Sequence, residues 1–138
     1  MVPRRHNDPV MRRRLTALGV AGLVLVAGLL VRVYAPDLIA QPAGTMLYAA
    51  LVYVGVFVLR PGTSPVPAGL VAVGFCWLVE FAQLTGLPAD LSERSLVARL
   101  VLGSEFDWAD VAWYPVGVVP LVVACLILRP EGPGLRGA

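Results

Sequence analysis

Two carboxylates and a phenol stand where the sequence is otherwise apolar. Glu80 lies near the end of one apolar segment, and Asp110 and Tyr114 lie near the start of the next. A carboxylate in an apolar run needs a partner, a proton or water, so such residues mark a polar network or a ligand site. Ala68, Ala72, Cys76 and Glu80 recur every fourth residue and share one helical stripe. Gln83 falls on roughly the same side. Asp107, Asp110, Tyr114, Gly117, Leu121 and Ala124 form a matching stripe. Arg94 lies in the chain between the two stripes, and one guanidinium between two carboxylates would offset their desolvation. The expected cluster is therefore Glu80, Gln83, Arg94, Asp110 and Tyr114. It reads as an ion-pair network that pins a loop, as a small polar pocket open to a lipid head group or envelope precursor, or as interfacial snorkelling with no network. Acid or base chemistry there would fall to Glu80 or Asp110, because the one histidine, His6, is near the start of the chain.

Other chemistries find no residues to carry them. Cys76 and Cys125 sit in apolar segments, outside any C-x-x-C or Cys/His pattern, and their different depths predict that they stay unpaired. Phosphate-loop, nucleophile-elbow and metalloprotease motifs do not occur, and no metal or cofactor is implied.

The elements that must position the cluster are set by composition. Of 138 residues, 58% are hydrophobic and 14% charged, with a mean hydropathy of +0.78. Soluble domains carry about 25% charged residues, so this chain lacks the polar surface to cover a water-soluble globule. Four apolar stretches run at approximately 15–34, 43–59, 66–84 and 109–128. Each is about 17–20 residues, which at ~1.5 Å per residue approaches the ~30 Å hydrocarbon core. The fold class expected is all-α: an integral membrane bundle of about four transmembrane helices, forming a single membrane domain over residues 1–138. The first stretch is longer than the ~7–15 residues of a signal h-region and reads as a membrane helix.

Between the stretches the chain carries turn residues. Pro36-Asp37 and Gln41-Pro42 are expected to bracket a short loop, and Arg60–Pro65 a tight turn. The connector before the fourth stretch holds a variant capping box, with Asp90 as N-cap, Glu93 at the third position and Gly103 closing the last turn. Leu96, Val97, Leu100 and Val101 fall on one face, which predicts a short amphipathic helix over about 90–103 on the outer membrane surface. Residues 1–12 and 130–138 are polar and are expected to be mobile ends.

All eleven basic residues are arginine. With the N-terminus inside, Arg4, Arg5, Arg12, Arg13, Arg14, Arg60, Arg129 and Arg136 face the cytoplasm, and only Arg32, Arg94 and Arg99 face out. This bias predicts that both termini are cytoplasmic and the long connector outside. The basic start is then a topology signal, and nucleic acid is not an expected partner.

The motifs Glu80-Phe81-Ala82-Gln83-Leu84, Arg94, Leu102-Gly103 with Phe106, Trp108-Ala109-Asp110, Tyr114 and Gly117 resemble a bacterial domain-of-unknown-function family of small four-helix membrane proteins, distantly VanZ-like. The family pattern reads E-F-x-Q-L, a spaced R, L-G-x-x-F and D-x-x-x-Y-x-x-G. Gly44, Leu47, Tyr48, Ala49 and Tyr53 resemble a weaker element, G-D-x-L-W-A-x-x-x-Y, in which Thr45 replaces the Asp and Tyr48 the Trp. The resemblance implies a multi-pass protein of the bacterial cytoplasmic membrane with an outer polar cluster. VanZ is associated with low-level teicoplanin resistance, which points toward the cell envelope. The expected function is binding of a lipid-linked or glycopeptide-type envelope ligand at the outer face, without catalysis. The alternatives are a membrane enzyme acting on a lipid-linked substrate and a structural subunit of a larger membrane complex. The bilayer is the expected partner, with a homo-oligomer or a membrane partner left open.

Overall fold

The structure is a computed structural model describing residues 9–103 and 105–128. Residues 1–8, Ser104 and residues 129–138 lie outside the described residues, and with them Arg4, Arg5, His6, Arg129, Arg136 and most of the expected polar ends. The described elements are helices: α1 (Pro9–Tyr34), α2 (Asp37–Leu59), α3 (Pro65–Gln83), α4 (Leu87–Arg94), α5 (Leu96–Leu102) and α6 (Trp108–Ile127). Of these, α1, α2, α3 and α6 are long and apolar enough to cross a membrane. The protein is thus an all-α, multi-pass membrane bundle.

Short links force the neighbouring long helices to run antiparallel. Gly62 and the prolines at 61 and 65 interrupt the helix between α2 and α3, and the Thr63 hydroxyl donates to the Arg60 carbonyl at 2.8 Å. The centre of the bundle is α2, which packs on α1, α3 and α6, while α3 also packs on α6. Among the described elements α1 touches α2 alone. In lipid, close packing replaces the hydrophobic effect as the force between helices, so small residues line the contacts. Ala49, Ala68, Ala72 and Cys76 are fully buried, and both cysteines are free. At Gly117 a Cβ would come within 2.5 Å of the Met46 carbonyl oxygen, so the crossing of α2 and α6 requires glycine there. Large side chains such as Leu23, Leu70, Leu78 and Ile127 point outward, where lipid tails solvate them.

Two prolines interrupt the hydrogen-bond ladder of α6. Pro115 has no N–H to offer the carbonyl of Val111, four residues earlier. The indole of Trp77 on α3 donates to that carbonyl at 2.9 Å. An exposed amphipathic side chain thereby repairs a proline defect across a helix interface.

Three features differ from the sequence-based expectation. Residues 9–12, expected to belong to a mobile end, form the start of α1. The residues expected to loop around Gln41-Pro42 are helical, because α2 begins at Asp37 and carries Pro42 within it. The connector holds two short helices where one was expected over 90–103. Gly86, at φ 78°, turns the chain into α4, so Asp90 sits inside the first turn rather than capping it. Ser95 then takes an extended conformation, φ −147° and ψ 125°, and its side chain accepts the Ala98 N–H. That cap starts α5 afresh. Gly103 closes α5, as expected from sequence, at φ 65° and ψ −173°, a region open essentially to glycine alone.

Candidate functional site

The ends of α2, α3 and α6 that meet the connector carry the polar residues of the bundle. Glu80, one turn before the end of α3, is 1% exposed. One carboxylate oxygen accepts the backbone N–H of Asp107 at 2.7 Å, and the other accepts the hydroxyl of the buried Tyr114 at 2.7 Å. Asp107 is the N-cap of α6, its side chain accepting the Ala109 N–H at 2.8 Å. Glu80 thus fixes where α6 begins, and charge-assisted bonds of this kind are roughly twice as strong as neutral ones.

The second set of bonds holds α5. The last carbonyls of any helix lack intrahelical partners. Here Tyr48 on α2 donates to the Val101 carbonyl at 2.7 Å and Gln83 on α3 to the Leu102 carbonyl at 2.6 Å. Ser92 on α4 donates to the Gly103 carbonyl at 2.8 Å. A Cβ at Gly103 would sit 2.7 Å from the Gln83 amide nitrogen, so glycine is needed there for space as well as for its backbone. The end of α5 is held by polar side chains from three helices, while the apolar side chains Leu96, Val97, Leu100 and Val101 remain exposed.

The third set joins α2 to α6. Thr45 donates to one oxygen of Asp110 at 2.7 Å, and Gln41 donates to Asp107 at 2.7 Å. Thr45 is one of two positions at which the sequence departs from the resembled pattern, and its hydroxyl supplies a donor to Asp110 where an aspartate would place a second carboxylate.

Between these bonds lies a cleft of about 270 Å³. Its polar walls include Thr45, Tyr48, Glu80, Gln83, Asp110 and Tyr114, with Arg32 and Glu105 also lining it. Four of the five residues singled out in the sequence therefore meet at one cavity. Arg94 does not join them: it is exposed at the end of α4, does not line the cleft and makes no ion pair among the described residues. The place expected for its guanidinium at Glu80 is taken by the Asp107 N–H and the Tyr114 hydroxyl. Arg32, Gln41, Thr45 and Tyr48 are not among the residues expected in the cluster. Three of them carried a signal, since Gln41, Thr45 and Tyr48 follow a four/three spacing once α2 is extended to Asp37. No group of three or more His, Cys, Asp or Glu residues among the described residues is arranged to hold a metal ion.

Residues 34–118 match the model of a family described as protein of unknown function, DUF2809. The chain belongs to this family. The DUF2809 match runs from the end of α1 into α6, and so takes in the whole connector and every cleft residue named above except Arg32. No solved structure matches the chain.

Proposed function

We propose that this protein is a bacterial cytoplasmic-membrane protein that holds the head group of a lipid-linked envelope ligand in the cleft, without transforming it. In this reading residues 1–138 form one membrane domain, the termini are cytoplasmic and the connector and cleft face outward. The arginine bias supports that orientation, since Arg32, Arg94 and Arg99 all belong to the connector end of the bundle.

The observation that carries the reading is the cleft itself, a polar cavity opening where membrane helices end. Its size narrows the ligand. Sites for drug-sized molecules usually measure ~300–1,000 Å³. At about 270 Å³ the cleft suits a head group rather than a whole glycopeptide, and the ligand's chain would stay among the lipid tails. Cell-envelope function and distant likeness to VanZ are part of this proposal, resting on the motif resemblance at Glu80–Leu84 and Asp110–Gly117.

A photo-crosslinking residue at Leu100, which lines the cleft, tests the reading against one at Leu78, which is exposed on α3 away from the cleft. Mass spectrometry of adducts formed in native membranes should find one head-group class strongly enriched at Leu100 relative to Leu78. The same distribution of adducts at both positions would refute it.

A further inference from the structure

The hydrogen-bond inventory of the cleft specifies which kind of group it can receive. The three hydroxyls in its wall are all committed: Thr45 to Asp110, Tyr48 to the Val101 carbonyl and Tyr114 to Glu80. Each has one proton to give, so none remains for a ligand. The Gln41 and Gln83 amides each give one of their two N–H donors to a protein acceptor. Acceptors, by contrast, are left over. Asp110 uses one oxygen for Thr45, and its other oxygen takes no hydrogen bond among the described residues. The amide oxygen of Gln83 is buried and accepts from no donor. Glu80, Glu105 and Asp110 give the wall three formal negative charges against one positive, from Arg32 at its exposed edge. An anionic group entering this cavity would meet a net negative wall, with donors limited to the Arg32 guanidinium at the edge and the second N–H of each glutamine amide.

We propose that the group the cleft admits is a primary ammonium carried beside a phosphate, as in a phosphoethanolamine head group, with the ammonium on Asp110 and the phosphate at Arg32. The proposal rests on the cleft reading above and gives it a ligand class. A primary ammonium brings three donors and no acceptor, which complements a wall of spare acceptors. Its charge answers the surplus of carboxylates, and the neighbouring phosphate uses the Arg32 guanidinium at the edge of the cleft.

Gly44 provides a probe, because it lines the cleft and a Cβ there meets nothing within 4 Å. The full chain carrying Gly44→Cys is placed in nanodiscs of phosphatidylcholine alone, or with added phosphatidylethanolamine, phosphatidylglycerol or a neutral glycosyl diacylglycerol of the same chains. Thiol labelling is read against the parent, which corrects for Cys76 and Cys125. Phosphatidylethanolamine should slow labelling about tenfold relative to the others, the scale of one hydrogen bond to a charged group, and Asp110→Asn should remove that protection. Leu100→Cys, on the cleft wall, repeats the measurement if Gly44→Cys does not fold. Equal protection by phosphatidylglycerol or by the glycolipid overturns the ammonium assignment and leaves the cleft reading standing. Protection by a total bacterial polar lipid extract but not by phosphatidylethanolamine does the same. No protection by any lipid, the extract included, overturns both.

Discussion

Replacing Glu80 by alanine separates a buried hydrogen-bond hub from an incidental buried acid. In the native protein its two oxygens accept from the Asp107 N–H and the Tyr114 hydroxyl, each at 2.7 Å. Glu80→Ala leaves both donors without an acceptor, and an orphaned buried donor costs ~1–3 kcal/mol. The summed expectation is a loss of roughly 2–6 kcal/mol, before any cavity contribution. Tyr114→Phe removes one donor and leaves Glu80 bonded to Asp107, so its loss should be smaller, about 1–2 kcal/mol. The informative quantity is the coupling between them. Side-chain hydrogen bonds between membrane helices average about 0.6 kcal/mol with a ceiling near 1.7, because the unfolded helices find other partners in the bilayer. Glu80 is a carboxyl acceptor at 1% exposure, which places its bond to Tyr114 toward that ceiling, about 1–1.7 kcal/mol. Equilibrium unfolding in mixed detergent micelles of the parent, the two single variants and the double variant measures it. Losses that add to within ~0.3–0.5 kcal/mol would mean that no such bond operates, and the assignment of Glu80 as the anchor of α6 would be wrong.

Three further outcomes follow from single contacts. Trp77→Phe should lower stability by about 1 kcal/mol in the native background. The effect should vanish beside Pro115→Ala, which returns an N–H to the Val111 carbonyl; an undiminished effect would show that Trp77 acts only by packing. Gly117→Ala should cost roughly 1–3 kcal/mol by forcing a Cβ against the Met46 backbone, whereas Gly55→Ala, which meets nothing within 4 Å, should not destabilise. Arg94→Ala and Arg99→Ala should melt indistinguishably from the parent, since both arginines are exposed and neither makes an ion pair among the described residues; a marked loss at Arg94 alone would restore it to the cluster.

The parts of the fold legible in the sequence are those set by periodicity and hydropathy. The α3 stripe is buried along its whole length, from Ala68 through Ala72 and Cys76 to Glu80, because a four-residue spacing leaves a helix no choice of face. The pairing of Glu80 with Tyr114 was within reach for the same reason. What could not be read has physical causes. The start of α2 was hidden because Gln41, Pro42 and Thr45 depress hydropathy in the turn that faces the cleft, so the polar lining of a site looked like the edge of a loop. The role given to Arg94 failed because counting side-chain charges overlooks the backbone. An N–H at a helix start is a sufficient partner for a carboxylate, and it needs no residue type to announce it. The break at Ser95 has no glycine or proline to mark it, and the Ser95 hydroxyl, a local cap, decides the boundary.

A polar cluster in a membrane bundle serves the fold, a ligand or both, and the count of uncommitted oxygens separates these roles residue by residue. Glu80 has given each oxygen to a protein donor and serves in the wall as an anchor. Asp110, which also lines the cleft, has given one oxygen to Thr45, and its other oxygen takes no hydrogen bond among the described residues. The two carboxylates should therefore fail differently. Asp110→Asn keeps a carbonyl oxygen for the Thr45 hydroxyl and nearly the same volume, so unfolding should stay within ~0.5 kcal/mol of the parent, as for a substitution that leaves packing and bonding intact. Its negative charge is gone, and with it the means to hold a cationic group. Glu80→Gln also keeps its volume, but it turns an amide N–H₂ toward one of two buried donors, so stability should fall while the cleft charge set by Asp110 remains. The pair is read by unfolding midpoint and by lipid protection of the Gly44→Cys thiol in the same preparations. Stability lost at Asp110 with protection intact, or protection lost at Glu80 in a fully folded variant, would reverse the two assignments.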